Sequence, residues 1–405
     1  MAAQQNTRFI QNALRVDYIM FAIVAVLLAV GLAMVWSVTF APNVTQGADN
    51  PLKEVQSQLI YAAVGIVALI FFSQIDYRVW GRVAVPLILV TVVVLISLFF
   101  MPEVNGSRRW LMGASVQPAE FAKLTIIIYM AKWLSSKGEK LRQLTYGLVP
   151  FAVIVGIVTG LIVLQPNLST AIIIGLCAFA MFFIAGADLV QFAFLMIVGG
   201  GSAIAIVLNT PYQLERWRIF LNDPLKMTGK EGYQVIETII ALGSGGVAGR
   251  GLGAGFSKYG YVPAPHTDSI FALLGEEMGL IGTWAILALF LAFAYRGFHI
   301  AARAKDPFGQ VLATGLTFWL IFQAFVNIGV VTATIPFTGV PLPFISFGGS
   351  ALIAALSAVG VLLSISRNHE SKDATNATFN FGGRDGGTRL SRVSRRGRDS
   401  ETRER

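Results

Sequence analysis

The stretch YVPAPHTDSIFALLGEE, residues 261–277, places His266 and Asp268 behind Pro263 and Pro265 and directly ahead of an apolar run. A carboxylate beside an apolar segment loses hydration, which raises its pKa and makes it a stronger base, while a histidine needs little shift to act near neutral pH. General-base chemistry is open to either residue. So is simple helix N-capping, which Asp and Thr commonly perform.

Three other stretches carry polar groups that could serve such a base. In NGSRRWLMGASVQPAEFAKL, residues 105–124, Gly106, Gly113 and Pro118 mark a loop that ends as a helix begins, and Glu120 and Lys123 share one helical face. Arg109 and Lys123 can present positive charge to an anionic group, for which the planar fork of arginine suits phosphate oxygens. Equally, Glu120 and Lys123 can pair with each other while Trp110 anchors at an interface. The segment TPYQLERWRIFLNDP interleaves aromatics with Arg216 and Arg218. In IPFTGVPLPFISFGGSA, residues 335–351, Pro336, Pro341 and Pro343 forbid a continuous helix. Non-helical backbone at membrane depth survives only where protein or a cavity shelters it. Pro343, Ser346 and Ser350 are accordingly expected to line a pocket, with Trp110 and Gln117, unless the stretch is an ordinary proline-rich turn.

The membrane depth follows from composition: 55% of the 405 residues are hydrophobic, 13% are charged, and apolar stretches near 20 residues recur. A helix of that length matches a hydrocarbon layer about 30 Å thick. The reading is an all-α polytopic membrane protein with about ten spans, at 18–39, 58–75, 83–101, 119–134, 147–164, 168–186, 190–208, 270–295, 309–334 and 347–366. The first is too long for the apolar core of a cleaved signal and reads as a retained anchor. With the N-terminus inside, short inner segments hold Arg8, Arg15, Arg78, Arg82, Lys132, Lys137, Lys140, Arg142, Arg296, Arg303 and Lys305, and short outer loops only Lys53, Arg108 and Arg109. Both termini are therefore expected in the cytoplasm, with the large loop 209–269 between helices 7 and 8 outside. That loop reads as a structured cap along the membrane surface.

Residues 1–17 read as a short cytoplasmic segment, 18–366 as the membrane domain, and 367–405 as a disordered Arg-rich cytoplasmic tail that supplies much of the formal charge of +9. The tail could meet anionic lipid or a docking protein; nucleic acid does not suit a tail held at a membrane. Cys177 is the lone cysteine, so no intramolecular disulfide forms, and the three histidines are too scattered for a His-rich metal site. A carboxylate-held Mg²⁺ or Mn²⁺ remains open. Seven glycines between 243 and 255 include GSGGVA, a loose dinucleotide pattern without a βαβ setting, and read as close packing or tight turns. Ionisable groups within spans lie near ends assigned to the outside: Glu120, Lys123, Glu276 and Glu277. Ion-coupled transporters place such groups near the midplane, so chemistry at the outer face is the expectation.

RW followed by QPxExxK, then GYQ, HTD with GEE behind it, and PFTGVPLPFISFGGS, in this order, resemble the SEDS family (shape, elongation, division and sporulation) of bacterial membrane proteins over about residues 15–367. The division branch is the nearer likeness, although the elongation paralogue shares nearly every motif. The resemblance implies a ten-span peptidoglycan glycosyltransferase that polymerises lipid II at the outer face of the cytoplasmic membrane, beside a class B penicillin-binding protein and other division proteins. It implies Asp268 as the catalytic residue, Arg109, Glu120 and Lys123 as a conserved outer cluster, and Arg216 as an arginine of the large loop. With His266, these would bind substrate and its pyrophosphate. Three departures stand out. QPNLS at 165–169 replaces the usual QPDxG, PAPHTD replaces PEAHTD, and Gln213 with Glu237-Thr238 replace Arg and Gln-Ser. A lipid II flippase and a non-catalytic division scaffold are the rival functions.

Overall fold

The computed structural model describes residues 17–367 apart from 46, 48, 104–106, 112–115 and 223–229. The expected N-terminal segment, with Arg8 and Arg15, and nearly all of the basic tail lie outside the described residues. Twelve α-helices are described: α1 (Tyr18–Thr45), α2 (Lys53–Gln74), α3 (Arg78–Ser97), α4 (Pro118–Lys137), α5 (Val149–Val163), α6 (Leu168–Ile184), α7 (Leu189–Asn209), α8 (Pro211–Leu221), α9 (Lys230–Ser244), α10 (Ile270–Ala302), α11 (Pro307–Val331) and α12 (Gly349–Arg367). Among the described residues the sole β pairing is an isolated bridge between Leu111 and Val116. Helix is what lipid demands, because it satisfies every backbone group within one segment.

A helix stands at each of the ten expected positions, and eight are long and apolar enough to cross a membrane. The other two differ for physical reasons: α6 is a shorter apolar helix, and α4 carries Glu120, Lys123, Lys132 and Lys137. Several ends move outward from the expected ones. The second helix begins at Lys53 rather than 58, and α10 continues to Ala302, because helix geometry persists into polar turns that hydropathy discounts. The N-capping open to Asp268 and Thr267 is not what starts α10, whose N-cap is Ser269 with no side-chain cap, whereas two other helix starts are capped. Asp306 accepts from Gly309 N–H ahead of Pro307, and Asn167 caps α6 through Thr170 N–H.

The core is built around α12, 89% of whose apolar window is buried, against 17% for α7 at the periphery. α12 packs most extensively on α2, and α11 lies against α10, α4 and α6. Large side chains exposed on α7, such as Val190 and Ile197, are the lipid-facing surface of a membrane protein. The loop expected as one cap resolves into α8, α9 and a turn-rich stretch that closes on α10.

Glu276 and Glu277, expected as outer-face chemistry, instead hold that stretch in place. Glu276 accepts from the backbone N–H groups of Phe256 and Ser257, and Glu277 from that of Gly253 and from the Ser37 hydroxyl. Lys258 Nζ lies 3.0 Å from Glu277 Oε1, both side chains being 0% exposed. The glycine run uses its lack of side chains here. Gly279 breaks α10 with φ 66°, and a Cβ on it would fall 2.2 Å from Gly249 N, so neither chain could approach otherwise.

Lys258→Met leaves the Glu277 charge buried without its cation, and is expected to cost about 3–5 kcal/mol of stability. Thermal unfolding in detergent should show much of that loss recovered by adding Glu277→Gln. Equal melting of the single and double variants would exclude the pairing as the source of the effect.

Candidate active site

Residues 266–268 have no helix or sheet to satisfy their backbone, and each carbonyl finds a partner in the last third of the chain. His266 O accepts from Phe347 N–H at 2.8 Å, Thr267 O from the Ser346 hydroxyl at 2.6 Å, and Asp268 O from Asn327 Nδ2 at 2.8 Å. Asn327 also donates to Val340 O, so one amide on α11 joins the two irregular segments. Gln323, one turn earlier, donates to Pro341 O. On the far side Gln58 of α2 lies 3.4 Å from both Ser346 O and Gly348 N. The irregular backbone is sheltered as lipid requires.

This scaffold fixes Asp268 at the wall of a cavity of about 350 Å³. Its carboxylate accepts from the Thr267 hydroxyl at 2.8 Å. Burial pushes the carboxyl above its ordinary value, opposed by the Thr267 hydrogen bond and the positive charge of Arg216. His266 does not line this cavity. Its ring meets Phe347 edge-on at 5.4 Å, and burial lowers its pKa, favouring the neutral imidazole.

The same cavity is lined by Arg109, Trp110, Gln117, Glu120, Lys123 and Arg216. Their charges are not equivalent. Lys123 Nζ lies 2.7 Å from Glu120 Oε2, donates to Gln323 Oε1 at 2.8 Å and sits over the Trp319 ring, so its charge is locally neutralised. Arg109 has no carboxylate partner among the described residues, and burial lowers its pKa. Arg216 stands over the Tyr212 and Phe337 rings at 4.2 and 4.9 Å and donates to Phe337 O. The cavity thus sets a desolvated carboxylate among two guanidinium groups. Chemically, such an arrangement can accept a proton and hold an anion in one chamber.

The expected site residues divide accordingly. Asp268, Arg109, Arg216, Glu120, Lys123, Trp110, Gln117 and Ser350 all reach the cavity, with Ser350 Oγ accepting from Gln117 N–H at 2.9 Å. His266, Pro343 and Ser346 do not line it. Pro343 is buried within the loop, and the Ser346 hydroxyl is occupied by Thr267 O and Leu342 N–H, making it a positioning residue. Gln323 and Asn327 were missed, although two amides four residues apart in an apolar helix are a legible signal of buried hydrogen bonding. Asn167, where the family usually carries a carboxylate, also lines the cavity, its Oδ1 committed to the α6 cap. Among the described residues, no group of three or more His, Cys, Asp or Glu side chains converges as a metal site.

Asn327→Leu would strand the carbonyls of Asp268 and Val340, and is expected to cost about 1–3 kcal/mol for each buried group left unpaired. Melting in detergent together with protease sensitivity of residues 261–269 checks this. An unchanged melt with unchanged cleavage would show that the amide does not hold the segment.

Comparison with known proteins identifies the family. The family pattern described as "Cell cycle protein", that of FtsW, RodA and SpoVE, matches residues 17–371. Stage V sporulation protein E of Bacillus subtilis is 40% identical over 361 residues, covering 87% of this chain and 97% of the relative. A probable peptidoglycan glycosyltransferase FtsW of Geobacter metallireducens is 38% identical over 358 residues, covering 87% and 95%. Among solved structures, a chain from "Structural coordination of polymerization and crosslinking by a peptidoglycan synthase complex" superposes with a TM-score of 0.70 at 26% identity, covering 87% of this chain and 98% of that one. The rod shape determining protein RodA of Thermus thermophilus gives 0.65 at 25% identity, covering 87% and 97%. The chain belongs to the FtsW, RodA and SpoVE family of cell cycle proteins, the SEDS family.

Proposed function

We propose that this protein is a peptidoglycan glycosyltransferase that polymerises lipid II into glycan strands at the outer face of the cytoplasmic membrane during septal wall synthesis. The observation that carries the reading is a desolvated Asp268 carboxylate in one cavity with Arg109 and Arg216. The relatives named as probable glycosyltransferases support it. Their shared name, and the distribution of Lys and Arg between loops, favour the division role and the outward orientation.

Asp268 takes the proton of the acceptor sugar's 4-hydroxyl as that oxygen attacks the donor's anomeric carbon from the face opposite the departing lipid diphosphate, giving inversion. The new C–O bond forms as the bond to the diphosphate breaks, and the electron pair leaves with the diphosphate. Arg109 and Arg216 offset the charge that develops there, at fixed positions in a water-poor site. Glu120 keeps Lys123 neutralised at the cavity wall until an anionic group competes for it. Asp268 or Glu120 would hold a divalent cation together with substrate oxygens, where it would offset diphosphate charge.

A class B penicillin-binding protein as transpeptidase partner suits a polymerase of this family, and the solved peptidoglycan synthase complex supports that pairing. A flippase would need polar groups along a path to both faces. The cavity charges come from one end of the fold: Glu120 and Lys123 lie in the first two turns of α4, and Asp268 just precedes α10.

Purified protein in lipid, with its transpeptidase partner, should form polymer from labelled lipid II. Asp268→Asn should reduce the rate by at least about a hundredfold at equal folded amounts. Equal polymer from both would place the base elsewhere, and none from either would favour transport or scaffolding.

The pH profile supplies a second check. Asp268 must be ionised to act, and its pKa is raised, so activity should fall with decreasing pH along a limb lying above the ordinary carboxyl value of 3.8. Arg216 holds that pKa down; removing its charge in Arg216→Gln should move the limb to higher pH as well as lower the rate. A limb that stays in place or moves down would contradict the coupling.

A further inference from the structure

Beside the polar cavity lies a second chamber of about 260 Å³ with the opposite chemistry. Ile219 and Phe220 of α8, Val235 and Ile239 of α9, and Val330 and Ile335 at the end of α11 form its walls. Arg216 and Phe337 belong to both chambers. The partition is well defined: the Arg216 guanidinium lies 4.9 Å from the Phe337 ring centre and donates to Phe337 O at 3.2 Å. Passing across it, the lining changes from charged groups, through one cation, to hydrocarbon.

We propose that this apolar chamber receives the isoprenoid segment adjoining the diphosphate of a lipid-linked substrate. The inference rests on the glycosyltransferase reading and adds a tail site to it. A lipid-linked sugar presents sugar, diphosphate and hydrocarbon in that order, and the two chambers with Arg216 between them present matching surroundings in the same order. A cation at the boundary meets the one anionic part of the molecule, while the apolar walls take the part that water excludes. The tail can continue into the bilayer, since Ile239 at the chamber's rim is 42% exposed and Ile240 beside it also faces outward. Continuity selects this chamber over the larger apolar groove around Leu242, Leu280 and Trp284, which shares no wall residue with the polar cavity. Donor and acceptor carry the same diphosphate–isoprenoid linkage, so the chamber's chemistry suits either.

The test uses the full-length protein in nanodiscs of one lipid composition, with binding measured in the absence of turnover. Inorganic pyrophosphate reports the head site alone, and farnesyl diphosphate adds a short isoprenoid tail. Wild type should bind farnesyl diphosphate at least about tenfold more tightly than pyrophosphate, as burial of several methylene-sized groups allows. Val235→Trp, which fills the chamber, should remove that preference and leave pyrophosphate affinity within about twofold. Ile239→Asn, at a partly exposed position of the wall, should reduce the preference in the same direction, with melting in the same nanodiscs checking that the fold is kept.

A preference that survives both variants overturns the proposal, as does equal binding of the two probes by wild type. A diazirine on the isoprene unit next to the diphosphate should label peptides from 211–221 or 230–244. Labelling confined to other helices overturns it too. Polymerised and monomeric lipid II, offered separately as competitors, distinguish donor from acceptor occupancy. Since binding is read apart from chemistry, a chain that binds as stated yet makes no polymer would sink the polymerase reading alone. Polymer formation with unselective binding would sink only the tail site.

Discussion

Irregular backbone inside a membrane protein must find every hydrogen-bond partner within the protein, and that constraint organises this fold around its cavity. The segment carrying Asp268 and the segment 340–348 are both non-helical, and each supplies what the other lacks. Phe347 N–H, the Ser346 hydroxyl and Asn327 serve three consecutive carbonyls, while Gln323 and Gln58 close the remaining ends. Without this mutual satisfaction a carboxylate could not be held rigidly at the edge of hydrocarbon.

The same constraint divides the charged residues into two kinds. Glu276, Glu277 and Lys258 are consumed in building: their charges stabilise a glycine-rich stretch whose N–H groups need acceptors. Arg109, Arg216 and Asp268 are arranged around open space. Glu120 and Lys123 stand between, in contact with the cavity yet already paired. A positive charge near a site is therefore not equivalent to an available one, and Lys123 is the clearest case, paired with Glu120 at 2.7 Å.

The helices were legible because apolar length is a strong signal, although ends such as Lys53, Ala302 and Pro307 lie residues away from those that hydropathy suggests. Several charged and polar cavity residues were legible from local chemistry, such as an arginine beside a tryptophan and a carboxylate before an apolar run, but the choice of Asp268 over His266 came only with the family resemblance. Hydrogen-bond commitments were not. Nothing local to Ser346 says that its hydroxyl turns to Thr267 O rather than to a substrate, and nothing local to Glu277 says that a lysine nineteen residues earlier will bury itself against it. Those choices are made across the fold, by which backbone groups would otherwise go without partners. Asn327 and Gln323 are the instructive misses, since their spacing was visible and only their purpose was not.

The last helix has a consequence for how the protein is made. Ser350, on the first turn of α12, receives the backbone N–H of Gln117, and α12 also packs on α2 and α4. A chain emerging from the ribosome inserts α4 long before α11 and α12 exist, so Glu120 and Lys123 enter the bilayer without Gln323 or Ser350 to meet them. Their i,i+3 spacing gives them each other at that moment, a self-contained neutral pair needing nothing downstream. The cavity can then assemble only once α11 and α12 supply Gln323 and Ser350.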